Sequence, residues 1–167
     1  MDLGNILSER SALEGKRKLF MKNSIIERKL IDFIKEYSEG TSLYWAPLTR
    51  LKKDIPVVSY HVDAIYKNND IALLENVFKT CGISEVNTFQ MDHLEYFEHE
   101  NIFELLYEKD DDEYSFPWYV ETFYFDSSET WMVYVSHEGT ISFTGKEIVK
   151  AAIENIDNLY RTSQGIY

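Results

Sequence analysis

The clearest pattern in the chain lies between Trp118 and Tyr160, where strand-like alternation gives way to helical spacing. Tyr119–Phe125 is rich in aromatic and β-branched residues and predicts a strand. Asp126-Ser127-Ser128-Glu129 is turn chemistry, Trp131–His137 a second strand, Glu138-Gly139 a turn, and Ile141–Phe143 a third strand. Alternation puts Trp131, Val133, Val135 and His137 on one face, and Met132, Tyr134, Ser136 and Glu138 on the other. A two-residue loop pairs Val135 with Ser142, and a three-residue loop pairs it with Phe143. The second choice gathers the apolar side chains on one face and is the expected register. Thr144 and Glu147 then fit a capping box. Ile148, Ala152, Ile156 and Leu159 follow on the inner face of a helix, widened by Val149, Ile153 and Tyr160.

Upstream, Ser24 and Glu27 open a helix to about Ser38, with Ile26, Leu30, Phe33, Ile34 and Tyr37 on one face and Gly40 as its stop. Residues 41–69 carry Pro47 and Pro56, and Val57–Val62 reads as a candidate strand. A helix follows Asp70 and ends near Cys81-Gly82, with Ile71, Leu74, Val77 and Phe78 inside. Glu85–Phe89 predicts a short strand. Asp92 and Glu95 suggest another helix start, with Leu94, Phe97, Leu105 and Leu106 carrying helix to about Tyr107, interrupted near His99-Glu100-Asn101. These elements predict an α+β domain: an antiparallel sheet ending in a three-stranded meander over about 118–144, with helices packed on one face and the other face partly open. The expected organisation is a basic arm or short helix over 1–22, one domain over 23–160 and a tail over 161–167.

Composition narrows the function. The net charge is −12, and the charge is uneven. Residues 1–22 hold five basic side chains (Arg10, Lys16, Arg17, Lys18, Lys22) against three acidic ones. Residues 92–113 hold Asp92, Glu95, Glu98, Glu100, Glu104, Glu108, Asp110, Asp111, Asp112 and Glu113 against Lys109 alone. An acidic surface repels phosphate backbones, so a nucleic-acid partner is not expected. There is no apolar run of membrane-spanning length, so no membrane is expected either. The single cysteine, Cys81, precludes an internal disulfide or a cysteine-rich zinc site, and cytoplasmic residence is the expectation.

Several clusters invite a chemical reading. Ser136-His137-Glu138 resembles a triad in composition, but neighbours on one strand point to opposite sides and cannot converge. His137 and Glu138 are the weak catalytic candidates, with His137 facing the same way as Trp131 in a pocket. His93 and His99 flank Glu95 and Glu98 at a spacing that separates them around a helix, and Asp110-Asp111-Asp112 lacks the alternating ligands of a calcium loop. No metal or other cofactor is expected. The core is the expected setting for Cys81. Trp45, Trp118 and Trp131 are expected as core or edge aromatics. On a continuous helix Glu100, Glu104 and Glu108 form one negative stripe. With Asp110, Asp111, Asp112, Tyr114 and Trp118 they make an acidic, aromatic surface over 95–119 suited to a basic protein partner.

The small size, the acidity, Tyr124-Phe125-Asp126 and the run Trp131-Met132-Val133-Tyr134-Val135-Ser136-His137-Glu138-Gly139 together resemble small acidic bacterial toxin-immunity-type proteins over about residues 118–160. The resemblance implies a one-to-one inhibitor of a toxin domain, such as a basic nuclease, and carries over no binding residues. A small hydrolase or ligand-binding enzyme with a pocket around His137, and a subunit of a larger assembly that self-associates, stand as alternatives.

Overall fold

The computed structural model describes residues 28, 56–90, 95–107, 121–128 and 130–162. Arg28 is helical, and the rest of the expected 24–38 helix lies outside the described residues, as do residues 1–22, Trp45, His93, Trp118 and Tyr119. The described chain forms β1 (Val57–His61), α1 (Val62–Lys67), α2 (Ile71–Thr80), β2 (Val86–Gln90), β3 (Glu95–His99), α3 (Ile102–Tyr107), β4 (Thr122–Phe125), β5 (Met132–Ser136), β6 (Thr140–Thr144) and α4 (Lys146–Asn155). A 3-10 turn, Asn158–Tyr160, follows. The six strands make one antiparallel sheet in the order β1-β6-β5-β4-β2-β3. The molecule is therefore α+β, with an open sheet. Among the described residues no helix is long and apolar enough to cross a membrane.

Strand parity builds the core. Val58 and Tyr60 sit opposite Phe143 and Ile141, which sit opposite Val133 and Val135. These six side chains are buried in one cluster with Leu74, Val77 and Phe78 of α2 and Ile148 and Ala152 of α4. The opposite face buries Phe89, Phe123, Met132 and Tyr134 at its centre, each at most 2% exposed, and stays partly open at its ends, where His61 and Glu98 are exposed. Phe123 and Tyr134 stack there with centroids 4.8 Å apart. Ser59 and Ser142 satisfy each other on that face at 2.7 Å.

The meander and its helices follow the apolar pattern, with corrections at the ends. The β5–β6 loop is His137–Gly139, one residue earlier than expected, so Val135 pairs with Ile141 rather than Phe143. Parity is unchanged, and the same side chains stay in the core. Gly139 has φ 71°, and a Cβ there would strike the Asp63 carboxylate. Thr144 does not cap α4: it ends β6, and its hydroxyl donates to the Pro56 carbonyl at 3.1 Å. Gly145, at φ 113°, turns the chain into the helix instead. A Cβ on Gly145 would lie 2.6 Å from the Thr130 carbonyl, so only glycine lets the β4–β5 turn pack here. α4 ends at Asn155, so helical spacing no longer places the residues beyond it. Leu159, expected inside, is 87% exposed. The largest correction falls on 95–107. Residues 95–99 form strand β3 against β2, and helix begins only at Ile102. The backbone of 95–99 pairs along β2, which buries Val86, Thr88 and Phe89, and that pairing overrides the helical reading.

Candidate functional site

Residues Tyr96–Tyr107 carry the described part of the acidic, aromatic surface. Phe97 is 42% exposed and Tyr107 is 49% exposed. Glu100 and Glu104 are exposed in the turn and helix that follow β3, and Glu98 is exposed on the face of β3 opposite Phe97. Local bonds hold the edge in shape. The Tyr96 hydroxyl contacts Asn87 Oδ1 at 2.8 Å and Glu98 Oε1 at 3.0 Å. Burial and the Glu98 carboxylate push the Tyr96 phenol up to about 12. Asn101 opens α3 by accepting from the Phe103 amide at 3.0 Å, and its Nδ2 donates to Glu104 at 3.0 Å. Ile102 and Leu106 anchor the helix in the core, and Tyr66 holds its last turn by donating to the Leu106 carbonyl at 2.8 Å.

The neighbouring face of α2 adds an acidic group that the sequence reading missed. Tyr107 donates its hydroxyl to Glu75 Oε2 at 2.5 Å. Glu75 also pairs with Lys79, whose ammonium sits 5.5 Å from the centre of the Phe103 ring. Lys79, then Tyr107, hold the Glu75 carboxyl below its usual range, and the same bond raises the Tyr107 phenol. Glu75 and Tyr107 are 32 residues apart, so only the tertiary packing of α2 on α3 shows the pair.

The expected single stripe is broken. Glu100 lies in the β3–α3 connection and Glu104 on α3, so they do not share a continuous helix. Glu108, Asp110, Asp111, Asp112, Tyr114 and Trp118 lie outside the described residues. His99 lies on β3 rather than on a helix, with Nε2 3.0 Å from the Thr88 hydroxyl.

The Ser136-His137-Glu138 segment serves the β5–β6 turn. The Ser136 hydroxyl accepts from the Glu138 amide at 2.9 Å, and the Ser136 carbonyl accepts from Gly139 at 3.1 Å. His137 Nδ1 is hydrogen-bonded to the carboxylate of Glu121, a residue with no signal in the linear sequence because it lies one strand away. Glu121 also accepts from the His137 amide at 3.3 Å. The histidine is thus oriented by Glu121, while Ser136 caps the loop, and the three neighbours do not form a relay.

A cleft of about 550 Å³ opens at the other end of β5, away from His137. Cys81, Ser84, Glu85, Asp126, Thr130 and Lys146 line it, with Trp131 at its wall. Trp131 is a core aromatic, packed edge-on against Phe78, and it donates its indole N–H to Asp126 Oδ2 at 2.8 Å. Asp126 Oδ1 accepts from the Ser128 amide at 2.8 Å and from its hydroxyl at 2.5 Å. The carboxylate is therefore committed to holding the β4–β5 turn. Cys81 is half-buried here, packed against the core cluster, and burial, then Glu147, push its thiol up, away from a reactive thiolate. Among the described residues no group of three or more His, Cys, Asp or Glu side chains is placed to hold a metal ion.

No family model, curated protein or solved structure matches the chain.

Proposed function

We propose that this protein is a cytoplasmic, non-catalytic binding domain that acts as an immunity-like inhibitor of a basic protein such as a toxin or nuclease. The observation that carries the reading is the β3–α3 segment, which exposes the aromatic rings of Phe97 and Tyr107 together with Glu100 and Glu104, and exposes Glu98 on the other face of β3. Aromatic anchors supply contact area at low entropic cost, and the carboxylates around them steer and select a cationic partner. In the sequence this surface continues into Glu108, Asp110, Asp111, Asp112, Tyr114 and Trp118.

Capture from host lysate at low and moderate salt, followed by mass spectrometry, tests the proposal. A single stoichiometric basic partner is expected, bound less tightly as salt rises. Glu100→Lys with Glu104→Lys is then expected to weaken binding by on the order of tenfold or more and to flatten its salt dependence. Unfolding stability is expected to fall by no more than about 1 kcal/mol, because both side chains are exposed and the one bond lost, from Asn101 to Glu104, lies at the surface. Unchanged affinity in the double variant removes this surface from the proposal.

A further inference from the structure

Among the described residues β1 lies at one end of the sheet, with β6 on its inner side. Its outer side is met by the segment that follows α4. Tyr60 forms an antiparallel bridge with Arg161, and the Thr162 amide donates to the Ser59 carbonyl at 2.9 Å. The burial of this segment alternates as in a strand: Tyr160 and Thr162 are in, Arg161 is out. The contact is short, and it leaves two buried hydroxyls, Tyr60 Oη and Thr162 Oγ1, without a partner. Unpaired buried hydroxyls oppose such a contact.

Something else must hold the segment in place, and Tyr160 does so. Its hydroxyl donates to Asp70 Oδ2 at 2.5 Å and accepts from Asn68 Nδ2 at 2.9 Å. Both partners sit in the α1–α2 turn, where Asn69 at φ 61° reverses the chain so that its two neighbours reach the same phenol. Asp70 is the residue preceding α2, yet its side chain makes no capping bond there. The cap has been given up for the clasp. Asp157 accepts from the Leu159 amide at 2.8 Å and shapes the 3-10 turn that presents Tyr160.

We propose that residues 157–162 are a detachable guard over the outer edge of β1, locked by Tyr160, and that the edge beneath it fits β1 of a second copy of this chain. An open strand edge is a template for pairing, and a covered one is not. β1 is self-complementary about Ser59: an antiparallel partner would set Val58 opposite Tyr60, both on the helix-covered face, and Val57 opposite His61 on the other face. The Ser59 carbonyl that Thr162 now occupies points outward, so two copies would exchange bonds at that residue without disturbing the β1–β6 ladder.

The test compares the full-length chain with Tyr160→Phe and Tyr160→Ala, by amide hydrogen exchange and by sedimentation. Tyr160→Phe keeps the ring and loses both hydrogen bonds, and exchange at the Thr162 amide is expected to rise by on the order of tenfold. Tyr160→Ala is expected to shift toward twice the wild-type mass at concentrations where the wild type does not. Adding Ser59→Pro, which removes the outward N–H of β1, is expected to restore the wild-type mass. Unchanged Thr162 exchange in both Tyr160 variants overturns the clasp. Faster exchange with wild-type mass in the cooperatively folded Tyr160→Ala chain overturns the guard.

Discussion

The β4–β5–β6 meander and the β2–β3–α3 edge belong to one sheet, yet they use their side chains in opposite ways. In the meander nearly every position is spent on burial. Phe123, Val133, Val135, Ile141 and Phe143 are fully buried, on both faces of the sheet. At the other edge, β3 gives one face to Phe97 and His99 and the other to Tyr96 and Glu98, with carboxylates in the following turn and helix. The difference is one of neighbours. A central strand is flanked by two ladders and can be apolar throughout. A strand at the end of the described sheet meets solvent, and charge there discourages unwanted pairing. The edge is therefore where the molecule keeps side chains that cost little stability to expose and that a partner can read.

The largest expected effect breaks this comparison if it fails. Phe143 packs against Tyr60 at 6.2 Å and Phe78 at 6.4 Å between ring centroids. Phe143→Ala is expected to cost about 3–5 kcal/mol in urea unfolding, whereas Phe97→Ala is expected to cost under about 1 kcal/mol. Similar losses for the two would mean that the β3 edge is as structural as the meander.

An alkaline titration sharpens the comparison. Tyr96 is pushed up to about 12, and Tyr60, Tyr107 and Tyr160 are also raised, Tyr60 by burial and the last two by carboxylates that accept their protons. A raised phenol keeps its proton in the folded chain where the unfolded chain has lost it. This contribution to stability is complete below the ordinary phenol value near 10 and declines as pH rises toward 12. The urea midpoint is expected to fall across that window, and Tyr96→Phe is expected to make the fall shallower. A slope that Tyr96→Phe leaves unchanged would assign the pH sensitivity elsewhere.

The smallest effect concerns Tyr60, whose hydroxyl is buried without a partner. Tyr60→Phe keeps the packing against Phe143 and removes a desolvated donor. The variant is expected to be unchanged or more stable by up to about 1 kcal/mol. A clear loss in thermal or urea unfolding would show that the hydroxyl is used.

Much of the fold was legible in the chain because burial leaves a local trace. Alternating apolar residues marked β4, β5 and β6, and helical spacing marked α2 and α4, since each element must turn its apolar side to a common core. The antiparallel α+β class followed from that order. What local pattern left open was decided where two segments compete or meet. Residues 95–99 carry helical spacing, but pairing with β2 makes them a strand. Thr144 carries a capping signal, but the close approach of the β4–β5 turn to Gly145 moves the helix start by one residue. His137 finds Glu121, Glu75 finds Tyr107, and Asp70 forgoes its cap for Tyr160. Those partners lie 16, 32 and 90 residues apart, respectively. Hydrophobic periodicity records which side of an element is buried, whereas a hydrogen bond between distant side chains leaves no periodic trace. The apolar scaffold is therefore written in the sequence, and the polar contacts that shape the candidate surface and the β1 guard exist only once the sheet and helices have assembled.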